Sequence, residues 1–151
     1  TIVLFYVAAV CDQAASAGQF LGASGPDCLT VVALVLAVLS RPAAGAAAGF
    51  FAGLFAGAIL GANMAHWIIT RTLAGFLVSI AVKIRIEVNP FVAVASVFFG
   101  VLGTRVAYLL LTSPPGLGPL LGQSVISALA SGLIALPVYA LLSRTVAAER
   151  T

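Results

Sequence analysis

The sequence predicts an all-α polytopic membrane protein with six transmembrane helices. Of its 151 residues, 62% are hydrophobic and 7% are charged, whereas about a quarter of a soluble domain is charged. Apolar runs recur along the chain, separated by short segments rich in Pro, Gly or charged residues. No polar stretch is long enough for a domain outside the bilayer, so we expect residues 1–151 to form one transmembrane domain.

The first two predicted helices are the least regular. A polar centre at Asp12 interrupts the first apolar run, and Asp27 stands where the N-cap of the second helix would be. The second run is shorter than the roughly 20 residues that a span needs. With Pro42 opening the third helix, the six predicted helices are residues 2–21, 28–40, 43–61, 64–82, 91–111 and 120–143.

The third helix carries a glycine at every fourth position, and small residues at this spacing let helix backbones approach closely in a bilayer. Each step of four drifts about 40° around a straight helix. We therefore expect these glycines to wind around a central helix that packs against more than one neighbour. They are the predicted helix-packing or partner-interface residues Gly45, Gly49, Gly53, Gly57 and Gly61.

The remaining chain contains three longer apolar runs. The fourth run bears His66, Trp67 and Arg71, and a charged loop follows from Lys83 to Pro90. The fifth bears Arg105, a turn rich in Pro and Gly covers residues 112–119, and the sixth ends at Arg144 with Pro137 inside it.

The basic residues predict an orientation. If the amino end is cytoplasmic, the inner loops and tail hold all the basic residues outside the spans, and the outer loops hold none. This distribution obeys the positive-inside rule and puts both chain ends in the cytoplasm. The inner residues are Arg41, Lys83, Arg85, Arg144 and Arg150.

Four ionisable residues fall within or at the ends of apolar runs, where charges are costly and mark functional candidates. Arg71 and Arg105 lie roughly 10 Å below the same predicted boundary, at about 1.5 Å per residue. With Asp12 and Asp27 they predict an intramembrane polar cluster. Ion pairs that lock helices together, or arginines reaching the headgroups, are the alternatives, and we favour the structural pair.

Enzymatic chemistry has little support in the sequence. His66 is the single histidine, and Ser131 has no flanking nucleophile motif. The four acidic residues are scattered, and no phosphate-binding glycine loop follows a strand. We expect no catalytic residues, no cofactor and no metal site, and we expect Cys11 and Cys28 to be buried inert thiols.

A series of short motifs points to a known family. A Gly-Pro-Asp turn at 25–27 opens a short helix that ends in Leu-Ser-Arg-Pro at 39–42. Then come the Gly-rich stretch 45–54, Leu-Ala-Gly-Phe at 73–76, Asn-Pro at 89–90 and Leu-Pro-Val-Tyr at 136–139. This order and spacing resemble the rod-shape-determining membrane protein MreD family from about residue 25 onward. The chain departs from the family at Gly57, where the family often has an acid.

The resemblance implies a six-helix protein of the bacterial inner membrane without known catalysis, similar in fold to the substrate-binding components of energy-coupling-factor transporters. It also implies a single-span partner, MreC, within the peptidoglycan elongation machinery, which contains a transpeptidase, a glycan polymerase and the actin-like MreB filament. We therefore expect a membrane scaffold of the cell-shape machinery that binds MreC.

Two other functions stay open from the sequence. A vitamin-type small-molecule binding component of a transporter would share the fold, with a pocket near the polar cluster. A pore has less support, because no regular ring of polar positions runs along a helix. The basic loop at Lys83 and Arg85 could meet anionic lipid or a filament, and we expect no nucleic-acid partner.

Overall fold

A computed structural model describes residues 2–17, 26–61, 63–85, 89–112 and 117–148. These residues form six α-helices, which confirms the all-α class. The helices are α1 (Ile2–Ala17), α2 (Cys28–Leu39), α3 (Pro42–Leu60), α4 (Met64–Arg85), α5 (Pro90–Thr112) and α6 (Leu117–Ala148). Within the described ranges, α3 to α6 are long and apolar enough to cross a membrane.

Several boundaries differ from the prediction. Lys83 and Arg85 belong to α4 and not to a loop, since no helix breaker precedes Pro90. Helix α6 begins at Leu117, so the turn predicted for residues 112–119 is shorter than expected. The helix also continues past Arg144. Residues 18–21 of the first predicted helix lie outside the described residues.

The centre of the bundle is α2, and the prediction that the glycine-rich third helix is central was wrong. Helix α2 packs against each of the other five helices. A helix that is apolar on all sides is expected to be buried, and α2 has no charged residue. Its buried residues are Leu29, Thr30, Val31, Val32, Ala33, Leu34, Val35, Ala37 and Val38.

The glycines of α3 share a face that packs on α4, so the expectation that they wind around the helix was wrong, although Gly45 also faces Ala37 of α2. Helix α3 itself packs against α4, α2 and α1, which confirms the expectation of more than one neighbour. A Cβ atom at any of Gly45, Gly49, Gly53 or Gly57 would come under 3.0 Å from an atom of α4. Rows of residues four apart are inclined by about 26° to a helix axis, and a neighbour inclined along such a row meets every member.

Gly61 has a different role from the other glycines of the series. It caps the carboxyl end of α3 with φ +64°, and its N–H donates to the Gly57 carbonyl at 3.0 Å. No atom outside its own chain neighbourhood lies within 4 Å of a Cβ built there. Glycine suits this left-handed position, so Gly61 ends the helix and is not a packing residue.

The opposite end of α4 meets the connection between α2 and α3. The Ser79 hydroxyl donates to the Ser40 carbonyl at 3.1 Å. Val38, Val82 and Ala93 form a small core there, with Tyr139 of α6 packed against it. We call this region the basic end, because Arg41, Lys83 and Arg144 lie exposed around it.

Candidate functional site

Asp27 is the centre of a buried polar cluster at the other end of α2. As predicted, it is the N-cap: its Oδ1 accepts the backbone N–H of Thr30 at 3.0 Å. Its Oδ2 accepts the Arg71 Nη2 at 2.7 Å. Its own backbone N–H donates to the Ser131 hydroxyl at 3.1 Å. One residue therefore connects α2 with α4 and α6.

Asp12 of α1 reaches the same helix terminus. Its carboxylate accepts the backbone N–H of Cys28 at 2.6 Å and that of Leu29 at 3.1 Å. The first N–H groups of a helix have no partner within the helix, and this terminus carries a partial positive charge. Asp12 therefore caps α2 from a different helix and ties α1 to the bundle.

Arg71 is 4% exposed and connects three further elements. Its Nη1 donates to the Ala52 carbonyl of α3 at 3.0 Å, in addition to the ion pair with Asp27. Its guanidinium lies 4.8 Å from the ring centroid of Trp67, and Trp67 stacks on Tyr108 of α5 at 4.4 Å. The charge is thus shared by a carboxylate, a carbonyl and an aromatic face.

The glycines explain how Arg71 reaches α2. The backbone of α4 at Arg71 lies directly against Gly49, and the backbone at Ile68 lies against Gly53. Because no Cβ separates the helices there, the Arg71 side chain can cross α3 to Asp27. The polar cluster depends on the close packing of α3 and α4.

Arg105 lies near this cluster but outside its direct contacts. It is half-buried on α5 and close enough to Asp27 for an electrostatic interaction. Among the described residues its buried Nε has no hydrogen-bond partner. The structure thus brings Asp12, Asp27 and Arg71 together and places Arg105 at longer range. The four side chains carry equal numbers of positive and negative charges.

Sequence reasoning missed the part that α6 plays. Ser131, set aside for lack of a catalytic motif, is fully buried and accepts a hydrogen bond from Asp27. Ser124 and Ser127 are buried on the same helix, at three- and four-residue spacings. Such spacing marks one helix face, so this serine row is a signal that could have indicated a polar lining inside the bundle.

Trp67 is half-buried and stacks within the protein on Tyr108. The expectation that both cysteines are buried needs correction. Cys11 is exposed and Cys28 is half-buried, so they are not both buried thiols. His66 is half-buried, and its Nδ1 has no partner among the described residues. The Lys83 side chain is exposed, and that of Arg85 lies outside the described side chains.

A second feature is an open apolar groove between α4 and α5, with a volume of about 650 Å³. Its floor includes Gly103, where an added Cβ would meet no atom within 4 Å. The Thr70 and Thr104 hydroxyls in its wall each donate to a carbonyl of their own helix. The other lining residues are Ile69, Leu73, Ala74, Leu77, Val78, Ala81, Phe99, Gly100, Ala107, Leu110 and Leu111.

The cluster is therefore a set of fixed contacts among all six helices and the aromatic pair. No group of three or more His, Cys, Asp or Glu residues that could hold a metal occurs among the described residues.

Comparison of the chain with protein-family models, curated proteins and solved structures gave no match.

Proposed function

We propose that the chain is a non-enzymatic scaffold of the cell-shape machinery, which crosses the bacterial inner membrane six times with both ends in the cytoplasm. It binds an MreC-like single-span protein. Through that partner it associates with the elongation transpeptidase, the glycan polymerase and an MreB-like filament. The resemblance of residues 25–144 to the MreD family supports this, as do four helices long and apolar enough to cross a membrane.

The observation that carries the proposal is the groove between α4 and α5. Its apolar walls and the open floor at Gly103 suit the packing of one more helix. Helices in a bilayer associate mainly by close packing, and small residues let the backbones approach. The transmembrane helix of the single-span partner would occupy this groove.

The polar cluster supports a scaffold because both of its carboxylates are bound within the protein. Asp12 binds the amides of α2, and Asp27 binds Arg71, Thr30 and Ser131. Groups held this way fix the relative positions of the helices, although the Arg71 Nε and the Thr30 hydroxyl are buried without a hydrogen-bond partner among the described residues. A scaffold of this kind would recognise its partner through an apolar surface.

A small-molecule binding component is the second candidate, and one observation favours it. The buried row Ser124, Ser127 and Ser131 reaches Asp27 through Ser131. The Arg105 Nε has no hydrogen-bond partner among the described residues. Convergent polar groups of this kind orient ligands in binding sites. A vitamin-like ligand at this position would use the same fold for transport.

The experiment is a tagged pull-down from native membranes in mild detergent, read by mass spectrometry for proteins and small molecules. Gly103→Leu fills the groove. Gly122→Leu is its matched control, because Gly122 is exposed on α6 with open space around it. We expect a single-span protein with a large periplasmic domain to co-purify with the wild type and the control, and not with Gly103→Leu.

One result would overturn the scaffold, and another would overturn the groove as the site of partner binding. A retained vitamin-like molecule together with an ATPase-linked membrane partner would assign the second candidate function. Equal recovery of the single-span partner with Gly103→Leu and Gly122→Leu would show that the groove is not where the partner helix binds.

A further inference from the structure

The cations outside the polar cluster leave the chain with a net positive charge. Asp12, Asp27, Arg71 and Arg105 balance one another in the polar cluster. The other ionised side chains of the sequence sum to the whole net charge of +3. They are Arg41, Lys83, Arg85, Glu87, Arg144, Glu149 and Arg150.

The structure places three of these cations around the perimeter of the bundle. Arg41 is the N-cap of α3, Lys83 lies in the last turn of α4, and Arg144 lies in α6. All three are exposed. In the small core of Val38, Val82, Ala93 and Tyr139, the end of α4 meets the end of α2, the start of α5 and the last third of α6.

The lengths of α3 and α4 place two of these cations at the depth of lipid headgroups. Helix α3 has 19 residues, or about 28 Å at 1.5 Å per residue, which matches a hydrocarbon core of about 30 Å. Arg41, directly before α3, then lies at the phosphate level. Lys83 is two residues from the end of α4 and can reach the same level with its flexible side chain.

We infer that the basic end binds the headgroups of anionic phospholipids in the adjacent leaflet. Guanidinium and ammonium groups donate charge-assisted hydrogen bonds to phosphate. Among the described side chains at this end none is acidic. Their spread over three helices fits a ring of lipids better than the compact footprint of a protein.

The test uses the purified full-length chain in equimolar phosphatidylcholine and phosphatidylglycerol, with retained lipids counted by native mass spectrometry. We expect enrichment of phosphatidylglycerol that falls at high salt. The triple variant Arg41→Gln, Lys83→Gln and Arg144→Gln should lose preference by roughly fivefold per neutralised cation. The charge-conserving control Arg41→Lys, Lys83→Arg and Arg144→Lys should keep it.

Equal retention of both lipids by the wild type, or an unchanged preference in the glutamine variant, would overturn the inference. Added polyglutamate serves as the probe for an acidic protein surface. If polyglutamate displaces phosphatidylglycerol at low concentration, the basic end is a protein-binding face and the lipid assignment is wrong. These outcomes do not depend on the groove, so they are separate from the test of the scaffold.

Discussion

At the scale of single residues, the decisive side chain is Arg71. A buried guanidinium is tolerated here because the Asp27 carboxylate, the Ala52 carbonyl and the Trp67 ring surround it. Removing one member of a buried ion pair costs more than the pair itself contributes, because the other charge remains without a partner. We therefore expect the ion pair to add little net stability and to act mainly by specifying which helices pack together.

We expect Arg71→Leu alone and Asp27→Asn alone each to lower the free energy of unfolding by about 3–5 kcal/mol. The double variant should lose less than the sum, since it leaves no uncompensated charge. Unfolding of the purified protein in mixed micelles measures all three. A coupling energy of zero would contradict a direct interaction between the two side chains.

At the scale of helices, the glycine face of α3 determines how closely α4 can approach. Contact with the α4 backbone at Gly49 leaves no room for a methyl group. Gly103 is also a glycine in the interior of a helix, but open space surrounds it. The two positions therefore separate the effect of packing from that of helix propensity.

Gly49→Ala should lower the free energy of unfolding by about 1–3 kcal/mol, because the added Cβ forces α3 and α4 apart. The same displacement should pull Arg71 away from Asp27. Gly103→Ala is the matched control and should not destabilise the protein, because no atom lies within 4 Å of the added Cβ and alanine favours a helix over glycine by up to about 1 kcal/mol. Equal effects of the two substitutions in denaturant titrations would show that α3 and α4 are not in backbone contact.

At the scale of the whole molecule, charge and length predict how the protein lies in the membrane. The basic end and the end that holds Asn63 are separated by the 22 residues of α4, or about 33 Å. This separation matches the thickness of a bilayer, and the positive-inside rule predicts that the basic end faces the cytoplasm.

Single cysteines test this orientation in a background with Cys11→Ser and Cys28→Ser. Both Asn63 and Lys83 are exposed, so a thiol at either position is open to reagents. A membrane-impermeant maleimide should label Asn63→Cys in intact cells, and Lys83→Cys only after the membrane is permeabilised. Labelling of both positions from the same side would mean that α4 does not cross the membrane.

Local features of the sequence were sufficient for much of the fold. Apolar runs predicted six helices, Asp27 after Pro26 predicted an N-cap, and Pro42 predicted a helix start. These signals depend on the chemistry of a few adjacent residues. The carboxyl ends of α4 and α6 were predicted too early. Both helices continue beyond their apolar runs, and no Pro or Gly marks where they end.

Composition and pattern alone predicted an all-helical chain with long apolar helices and a polar cluster of Asp12, Asp27, Arg71 and Arg105. Only the tertiary structure decided that α2 is central, that the glycine row packs on α4, and that Asp12 caps another helix. The physical reason is that burial and partner choice depend on the relative inclination of helices distant in sequence. No periodicity within one helix specifies that inclination.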